Sequence, residues 1–366
     1  MADVVEINNL DQLEQYRLAW NALLPQTPKA SFFHSFDWLK LYWQHFGSSQ
    51  ALRVLVVRSQ GNVIGIVPLC VKHRRTPLGK VRVLTYPLAN KGAWYGPIGP
   101  NQAATIHMAV RHLSKTTRDW DLLDLPALAA PSNNYCSAAN ACKAIGWQPQ
   151  MSAYKKTATL PIADQDYQHF LASSEKKHSQ LHQQIELLAN QGTVTFKRHR
   201  PEPTSYGDGH PDWDLFEACR NIFNTAQKNP FSNDSFFEES HNLAAKLGML
   251  DLAVLEIDGI AAAYQYNYHY HGEIFCLATG SAPSTPKADS VLLSWLIQDS
   301  FQRNDKCLNL AADSPLLEHL DTVKQQTSYR VTCYPHPEWR SQTTRFNSWL
   351  KSRFARRKQP TKATSA

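Results

Sequence analysis

One ordered set of secondary-structure patterns occurs twice in this sequence, and this repeat limits the possible folds more than any other feature. LRVLVVRSQGNVIGIVPLCV, from Leu52, and LAVLEIDGIAAAYQYNY, from Leu252, each predict an apolar strand, a tight polar turn and a second strand. Each hairpin is followed by another strand, a helical segment and a further strand. The strands after the hairpins are KVRVLTY and GEIFCLATG, and the helical segments are ATIHMAVRHLSK and ADSVLLSWLIQDSFQ. The further strands are WDLLDL and KCLNLA. The sequence therefore predicts two copies of one α/β unit.

The length and composition agree with two folded units. A chain of 366 residues can form two domains with separate cores, and 43% hydrophobic with 19% charged residues is typical of a globular protein. We place the boundary at the strand YKKTATLPI, which gives an N-terminal domain at 1–155 and a C-terminal domain at 156–335. A basic tail follows at 336–366. Residues 198–212, rich in proline, glycine and charge, are predicted to form a surface loop.

The basic residues are concentrated at the C-terminal end. The formal net charge is +7, and eight of the 38 Lys and Arg lie from Arg340 onward, where no acidic residue occurs. The rest of the chain is therefore nearly neutral, which argues against a nucleic-acid-binding core. RFNSWLKSRFARRK, from Arg345, can form an amphipathic helix. Such a helix either docks on the protein or makes peripheral contact with an anionic membrane surface.

Cysteine usage and hydropathy indicate a cytoplasmic protein. Seven cysteines without a CxxC pair are typical of reduced thiols and provide no structural zinc motif. The opening MADVVEINNLDQLEQY lacks the basic and then apolar layout of a secretory signal. The longest apolar run, Val63 to Val71, has nine residues and is too short to cross a bilayer. We expect a cytoplasmic location, with the tail as the segment that could reach the inner face of the membrane.

The stretch AAAYQYNYHYHG, from Ala261, has the strict alternation of a strand with two different faces. One face carries Tyr264, Tyr266, Tyr268 and Tyr270, and the other carries Gln265, Asn267, His269 and His271. The phenol face suits either a partly buried core or a groove for sugar rings. The two histidines would be about 7 Å apart. No third ligand is identifiable for them, so we predict no metal site.

The step from strand to helix in TGSAPSTPKADSVLL, from Thr279, is a candidate anion site. Two prolines exclude helix before Ala288, and an apolar helical pattern then begins. A helix N-terminus has free N–H groups and a partial positive charge, so it can bind a phosphate, and Lys287 adds a charge. A simpler interpretation is an ordinary capped helix, with Asp289 or Ser290 as the N-cap.

The order hairpin, strand, turn, helix and strand resembles the GNAT acetyltransferase fold. The whole chain looks like the CelD/BcsL family of GNAT-like proteins, linked to cellulose and exopolysaccharide synthesis, which is similar to the double-GNAT FemAB ligases. The likeness covers roughly residues 30–330, through FFHSFDWLKLYWQHFG from Phe32, LRVLVVRSQGNVIGIVPLCVKHRR from Leu52, and the run from Leu252 to Leu310. It implies an α/β (α+β) fold of tandem GNAT-like acyl-CoA N-acyltransferase domains. Each domain would be a mixed, mostly antiparallel sheet flanked by helices.

The resemblance also implies a donor, an acceptor class and site residues. The donor would be acetyl-CoA, its pyrophosphate at the helix start, and the acceptor an amine or hydroxyl of a sugar or polysaccharide precursor. Glu273 would activate the acceptor through water, and a tyrosine would protonate the departing thiolate. The candidate catalytic residues are Glu273, Tyr268, His269 and Asp313. The candidate cofactor-binding residues are Thr279, Gly280, Ser281, Lys287, Ala288, Asp289, Ser290 and Asn309. The candidate substrate-binding residues are Tyr264, Tyr266 and Lys324.

Two other functions remain open from the sequence. A FemAB-like aminoacyl transferase would draw on charged tRNA, which the nearly neutral body disfavours. A non-catalytic accessory protein would use a degenerate GNAT fold as a binding platform, and the absence of glycine from PKADSVLL favours it. Binding of coenzyme A separates an enzyme from a platform. Salt-sensitive binding of tRNA would identify the ligase.

Overall fold

The computed structural model describes residues 2–76, 79–88, 94–129, 136–163, 167, 183–225, 234–311 and 323–335. These residues form twelve strands and eight α-helices, and residues 183–189 are also helical. The strands are β1 (Ala2–Ile7), β2 (Gln50–Ser59), β3 (Asn62–Thr76), β4 (Gly79–Thr85), β5 (Leu122–Ala129), β6 (Pro149–Pro161), β7 (Val194–His199), β8 (Leu250–Ile257), β9 (Ile260–Tyr270), β10 (Glu273–Ser281), β11 (Cys307–Ala311) and β12 (Lys324–Cys333). The helices are α1 (Leu10–Glu14), α2 (Arg17–Leu23), α3 (Phe36–Phe46), α4 (Gln102–Lys115), α5 (Ser137–Ala144), α6 (Trp213–Thr225), α7 (Asp234–Lys246) and α8 (Ala288–Gln302).

All twelve strands belong to one sheet, in the order β1-β2-β3-β4-β5-β12-β6-β11-β10-β9-β8-β7. The pairs β4–β5 and β10–β11 are parallel, and the other neighbours are antiparallel. Each parallel pair is joined by a helix, α4 in the first half and α8 in the second, as a parallel connection requires. The structure thus confirms the predicted mixed, mostly antiparallel sheet flanked by helices. It also repeats the order hairpin, strand, helix and strand in both halves.

The last strands of the two halves are exchanged. β6 follows the first half in sequence but pairs with β11 of the second half. β12 follows the second half but pairs with β5 of the first. β6 and β12 also pair with each other, over ten residue pairs, so the sheet is continuous at the middle of the molecule. The domain ranges 1–155 and 156–335 remain a prediction, and the exchange shows that each half contributes a strand to the other.

Helices cover both faces of the second half of the sheet. On one face α8 packs its apolar residues, among them Val291 and Leu296, against Ile274 and Leu308. On the other face α6 and α7 pack against the tyrosines of β9. Because both faces of β8 and β9 are covered, these strands are buried on both sides, and β8 is an almost continuous apolar run. We call the face that carries Tyr264, Tyr266 and Tyr268 the tyrosine face.

Within the part of the chain that the structure describes, no helix is long and apolar enough to cross a membrane. The predicted amphipathic tail, residues 336–366, lies outside the described residues. Its contact with a membrane surface therefore stays a prediction.

Candidate functional site

Strands β10 and β11 are paired over only part of their length, and we call the unpaired side of β10 beyond that point the opening. They are paired only from Glu273 to Phe275, opposite Cys307 to Asn309. A bulge between Cys276 and Ala278 then bends β10, as bulges do. Beyond this bulge β10 keeps its pairing with β9, and no described strand pairs with its other edge. Among the described residues this edge has no strand partner, so it is a candidate surface for an extended ligand that carries amide groups.

Asn309 lies at the last paired position of β10 and β11. Its side-chain amide nitrogen donates to the Ile274 carbonyl oxygen at 3.3 Å, and its oxygen accepts from the Thr159 hydroxyl at 2.8 Å. The side chain is buried. Asn309 therefore connects β6, β11 and β10 next to the opening. Protein groups already accept from and donate to this amide, so a cofactor that contacts Asn309 would have to share or replace one of them. The contact stays a prediction.

The N-terminus of α8 follows the unpaired part of β10 and borders the opening. Lys287, exposed and in the left-handed region with φ of 70°, precedes the helix and has no capping side chain. The first backbone N–H groups of α8 already have acceptors: that of Ala288 donates to the Thr285 carbonyl at 3.2 Å, and that of Ser290 to the Lys287 carbonyl at 3.0 Å. The N–H of Asp289 donates to the Ser281 hydroxyl at 2.9 Å. A phosphate bound here would have to replace Ser281.

The remaining predicted residues of this segment support the turn. The Thr279 hydroxyl donates to the Tyr264 carbonyl at 3.2 Å. At Gly280 an added Cβ would lie 3.1 Å from the Tyr264 ring, so a larger residue would press on that ring. Thr279 and Gly280 thus hold β10 against β9 next to the opening. Their contact with a cofactor also stays a prediction.

The exchanged strands create a row of side chains across the tyrosine face. Register places Lys324 of β12, Thr159 of β6 and Asn309 of β11 side by side, followed by Phe275 and Tyr268. Three predicted site residues, Lys324, Asn309 and Tyr268, therefore share one line. One step along the strands, Glu273 and Cys307 are paired in the same way. We call Lys324, Thr159, Asn309, Cys307 and Glu273 the polar row.

Lys29 reaches this row from the first half of the chain, and sequence reasoning did not identify it. Its ammonium group donates to the Gln326 side chain of β12 at 2.5 Å and lies 3.8 Å above the Trp94 ring. Burial lowers the pKa of Lys29, while the Glu273 carboxylate opposes that shift. Burial, with the nearby negative charge of Glu273, raises the pKa of Cys307 to about 12, so its thiol stays protonated. Lys29 is thus a cation close to Glu273, supplied by the other half.

The tyrosines of β9 are part of the core. The side chains of Tyr264, Tyr266 and Tyr268 are buried, and burial raises the pKa of all three. The Tyr268 ring lies 4.4 Å from Phe32 and 5.5 Å from Phe33, centroid to centroid. The segment after Lys29 therefore covers the tyrosine face with aromatic rings. Substrate contacts by Tyr264 and Tyr266 and catalysis by Tyr268 remain untested predictions.

The Tyr266 hydroxyl has a defined partner inside the core. The His241 Nε2 atom lies 2.6 Å from the Pro211 carbonyl oxygen, so Nε2 carries the ring proton. The other ring nitrogen, Nδ1, therefore accepts from the Tyr266 hydroxyl at 3.0 Å. Burial lowers the pKa of His241 to about 4, so the ring is neutral near pH 7.

We expect Tyr266→Phe to lower the free energy of unfolding by about 1–2 kcal/mol, because it leaves the buried His241 Nδ1 atom without a donor. Denaturant unfolding measures this change. Tyr270→Phe, at the half-buried end of the same strand, is the control and should change stability little. If Tyr266 instead contacts an acceptor, its variant would raise the KM for the acceptor and leave the unfolding free energy unchanged.

His269 lies on the face opposite Glu273. Register pairs His269 with Ile274, whereas Glu273 pairs with Tyr270. The His269 Nε2 atom accepts from the Gly272 N–H at 3.3 Å, and burial lowers the pKa of the ring to about 4, with the positive charge of Arg200 adding to this effect. His269 and Glu273 therefore cannot act on one acceptor group from the same side. A catalytic role for His269 alone remains a prediction.

Asp313, the last candidate base, lies outside the described residues. Across those residues, no three His, Cys, Asp or Glu side chains are grouped as metal ligands would be.

Residues 175–314 match the family model described as an acetyltransferase (GNAT) domain. The matched segment contains β10, α8 and β11, and so it includes the opening. No curated protein matches the sequence.

Two solved structures have the same overall arrangement. The crystal structure of FemX aligns with a TM-score of 0.57 and 10% identity, over 89% of this chain and 96% of that chain. A conserved protein of unknown function from Bacteroides thetaiotaomicron VPI-5482 aligns with a TM-score of 0.52 and 12% identity, over 88% of this chain and 97% of that one. At these identities the likeness shows the fold. The chain has a GNAT acyltransferase fold, as the sequence predicted.

Proposed function

We propose that this protein is an acyl-CoA-dependent acyltransferase that uses acetyl-CoA and acylates an amine or hydroxyl of a sugar or polysaccharide precursor. The observation that carries the proposal is the partly paired parallel strands β10 and β11, with the start of α8 after the unpaired part of β10, inside the segment that matches an acetyltransferase domain. The CelD/BcsL likeness of the sequence favours an acceptor from exopolysaccharide or cellulose synthesis. This would place the protein in the cytoplasm, at the inner face of the membrane when the tail binds there.

The opening suits the donor in two respects. The arm of coenzyme A contains amide groups, which can pair with the free edge of β10 after Phe275. Exposed Lys287 can attract the pyrophosphate to the start of α8, where the helix dipole is favourable. Acetyl-CoA supplies an acyl group activated as a thioester.

The polar row suits the acceptor. Glu273 lies on the same sheet face as Asn309 and Lys324, at the paired end of β10 and β11. Its half-buried carboxylate would take the proton from the attacking amine or hydroxyl, directly or through one water. As the new bond to the acyl carbon forms, the carbon–sulfur bond breaks, and the departing thiolate takes up one proton. Lys29 would hold the acceptor close to Glu273 from the side of the first half.

Calorimetric titration with acetyl-CoA tests the donor site. We expect saturable binding by the wild type and about tenfold weaker binding by Lys287→Glu, because a reversed charge repels the pyrophosphate by about 1.4 kcal/mol or more. Lys306→Glu is the matched control: Lys306 is also exposed but follows the far end of α8, so its variant should bind like the wild type. A double variant, Ser290→Pro with Lys287→Glu, should lose binding.

Failure of the folded wild type to bind acetyl-CoA or longer acyl-CoAs would contradict the proposal. The FemAB-like alternative would then predict salt-sensitive binding of aminoacyl-tRNA, and the fold likeness to FemX is compatible with it. If the protein binds neither acyl-CoA nor aminoacyl-tRNA, the remaining candidate is a non-catalytic binding platform.

A further inference from the structure

A cavity of about 50 Å³ lies in the first half, next to Lys29. It is partly open, and its walls are the segment before α4, the end of β5 and the start of α5. Its polar lining consists mainly of Lys29, His34, Trp94, Tyr95, Gln102 and Ser137. A water molecule needs roughly 10–15 Å³ of such space, so the cavity has room for a group of a few heavy atoms and none for a nucleotide.

Two buried hydrogen-bonding groups of this lining have no partner among the described residues. They are the indole N–H of Trp94 and the hydroxyl of Tyr95, whose residues are 5% and 3% exposed. A buried polar group without a partner costs free energy, so native proteins seldom retain one without a ligand or water to bind it. Within the described chain, the Trp94 indole N–H is therefore a free donor beside the cavity, whereas the Tyr95 hydroxyl lies near Tyr86, Cys70 and Tyr42, which do not line it.

His34 adds a second donor. Its Nδ1 atom accepts the backbone N–H of Ser31 at 3.2 Å, so the proton of the neutral ring is on Nε2. Burial lowers the pKa of His34 to about 4, which keeps the ring neutral near pH 7. The ring stacks on Tyr95, with centroids 4.7 Å apart, and is thereby fixed beside the cavity.

The charge of the lining is positive. Lys29 lines the cavity, with its ammonium group above the ring of Trp94, and none of the described lining residues is an Asp or Glu. The Gln102 side-chain amide donates to the Pro97 carbonyl at 2.9 Å, which leaves its oxygen as the main acceptor of the set. One cation and two N–H donors, of Trp94 and His34, around a small space match a planar oxyanion.

We propose that the cavity binds a carboxylate group of the acceptor, and this rests on the proposed acyltransferase function. The Lys29 ammonium group lies near Glu273 and donates to Gln326. Its side toward the cavity would contact the carboxylate. An acceptor held there by its carboxylate would extend across Lys29 toward the polar row, with its nucleophilic group near Glu273. The acceptor class is then an acidic one, such as a sugar acid or an amino acid derivative.

Titration of the ¹⁵N-labelled protein with acetate and succinate, followed by NMR, tests the site without any acyl-CoA. We expect the Trp94 indole signal, assigned with Trp94→Phe, to shift and saturate with both carboxylates. The signal of Trp147, which does not line the cavity, serves as the internal control. Acetamide, neutral and similar in shape, and chloride at equal ionic strength should leave the Trp94 signal unchanged.

Lys29→Gln should weaken carboxylate binding at least tenfold, whereas Lys40→Gln, at an exposed lysine of α3, should not. An unchanged Trp94 signal with both carboxylates, or equal shifts with acetamide, would overturn the proposal even if Lys29→Gln does not fold. Because acetyl-CoA binding is measured separately, loss of this site and loss of the donor site are distinguishable.

Discussion

Replacing Glu273 with glutamine should lower kcat for acyl transfer by about 10²–10⁴-fold, the usual contribution of a general base, with acetyl-CoA affinity unchanged. Glutamine has nearly the same shape but cannot accept the proton of the attacking group. Glu273 is the proposed base because it lies in the polar row, beside the paired end of β10 and β11, with Lys29 as a nearby cation. Steady-state kinetics with a screened acceptor and calorimetry with acetyl-CoA measure the two quantities.

Glu239→Gln is the matched control for this variant. Glu239 is a carboxylate on α7 that is 53% exposed in its side chain and faces His45, away from the polar row. Its variant should transfer at the wild-type rate. A wild-type kcat for Glu273→Gln would remove Glu273 as the base and make Asp313→Asn the next variant to measure.

Asp251→Asn should lower the free energy of unfolding by about 3 kcal/mol, because it removes the fully buried carboxylate that contacts both Arg198 and Arg200 and leaves them only Asp299 and Asp305. The Asp251 carboxylate accepts from Arg198 at 3.0 and 2.7 Å and from Arg200 at 2.8 Å. It is fully buried, and the side chain of Arg198 is 2% exposed. Denaturant unfolding, monitored by tryptophan fluorescence and circular dichroism, measures the loss.

The control for Asp251→Asn is Asp3→Asn, which removes an ion pair with Arg58 at the surface. The Asp3 side chain is 51% exposed, so water screens the pair and its loss should change stability much less than the loss of Asp251. Equal losses from the two variants would show that the buried cluster does not stabilise the fold more than a surface pair.

The same cluster makes stability depend on pH. Burial raises the pKa of Asp251, but the charges of Arg198 and Arg200 outweigh burial and hold it well below its usual value. A carboxylate of this kind stabilises the fold above its unfolded pKa of about 4, and this contribution is lost as the pH falls toward the folded pKa. The wild type should therefore lose more stability than Asp251→Asn on acidification below about pH 4.

The Asp251 cluster also bears on the candidate site, because it fixes the far end of α8. Arg198 donates to Asp299 at 2.8 Å and to Ser300 at 2.9 Å, both in the last turns of that helix. Arg200 donates to Asp305, just after it, at 2.9 Å. With its C-terminal end held in this way, α8 presents its N-terminus to the opening.

The elements of the fold could be predicted from local patterns. Apolar alternation and the turns before Asn62 and Ile260 predicted the two hairpins, since strand period and turn residues are local properties of a chain. The prolines before Ala288 predicted the start of α8, because proline disfavours helix at the residue preceding it. The predicted segment of the site, from Thr279 to Ser290, borders the opening. The Ser281 hydroxyl caps the helix, a contact that depends on the fold of β10, and its contact with a cofactor stays a prediction.

The sequence by itself predicted the two hairpins, the strand, helix and strand that follow each of them, and the near-neutral body with a basic tail. Strands β1, β7 and β12 have no counterpart among these predictions, and Arg198 and His199, expected in a surface loop, belong to β7. Tertiary structure alone decided that β6 and β12 change places, because both are strands and pattern does not specify which neighbour a strand pairs with. That exchange aligns Lys324 with Asn309, and the path of the chain before α3 places Lys29 near Glu273, more than 240 residues away in sequence. Tertiary structure also decided that the tyrosine face of β9 is core. Burial depends on what packs against a face, whereas alternation in the sequence shows only that the two faces differ.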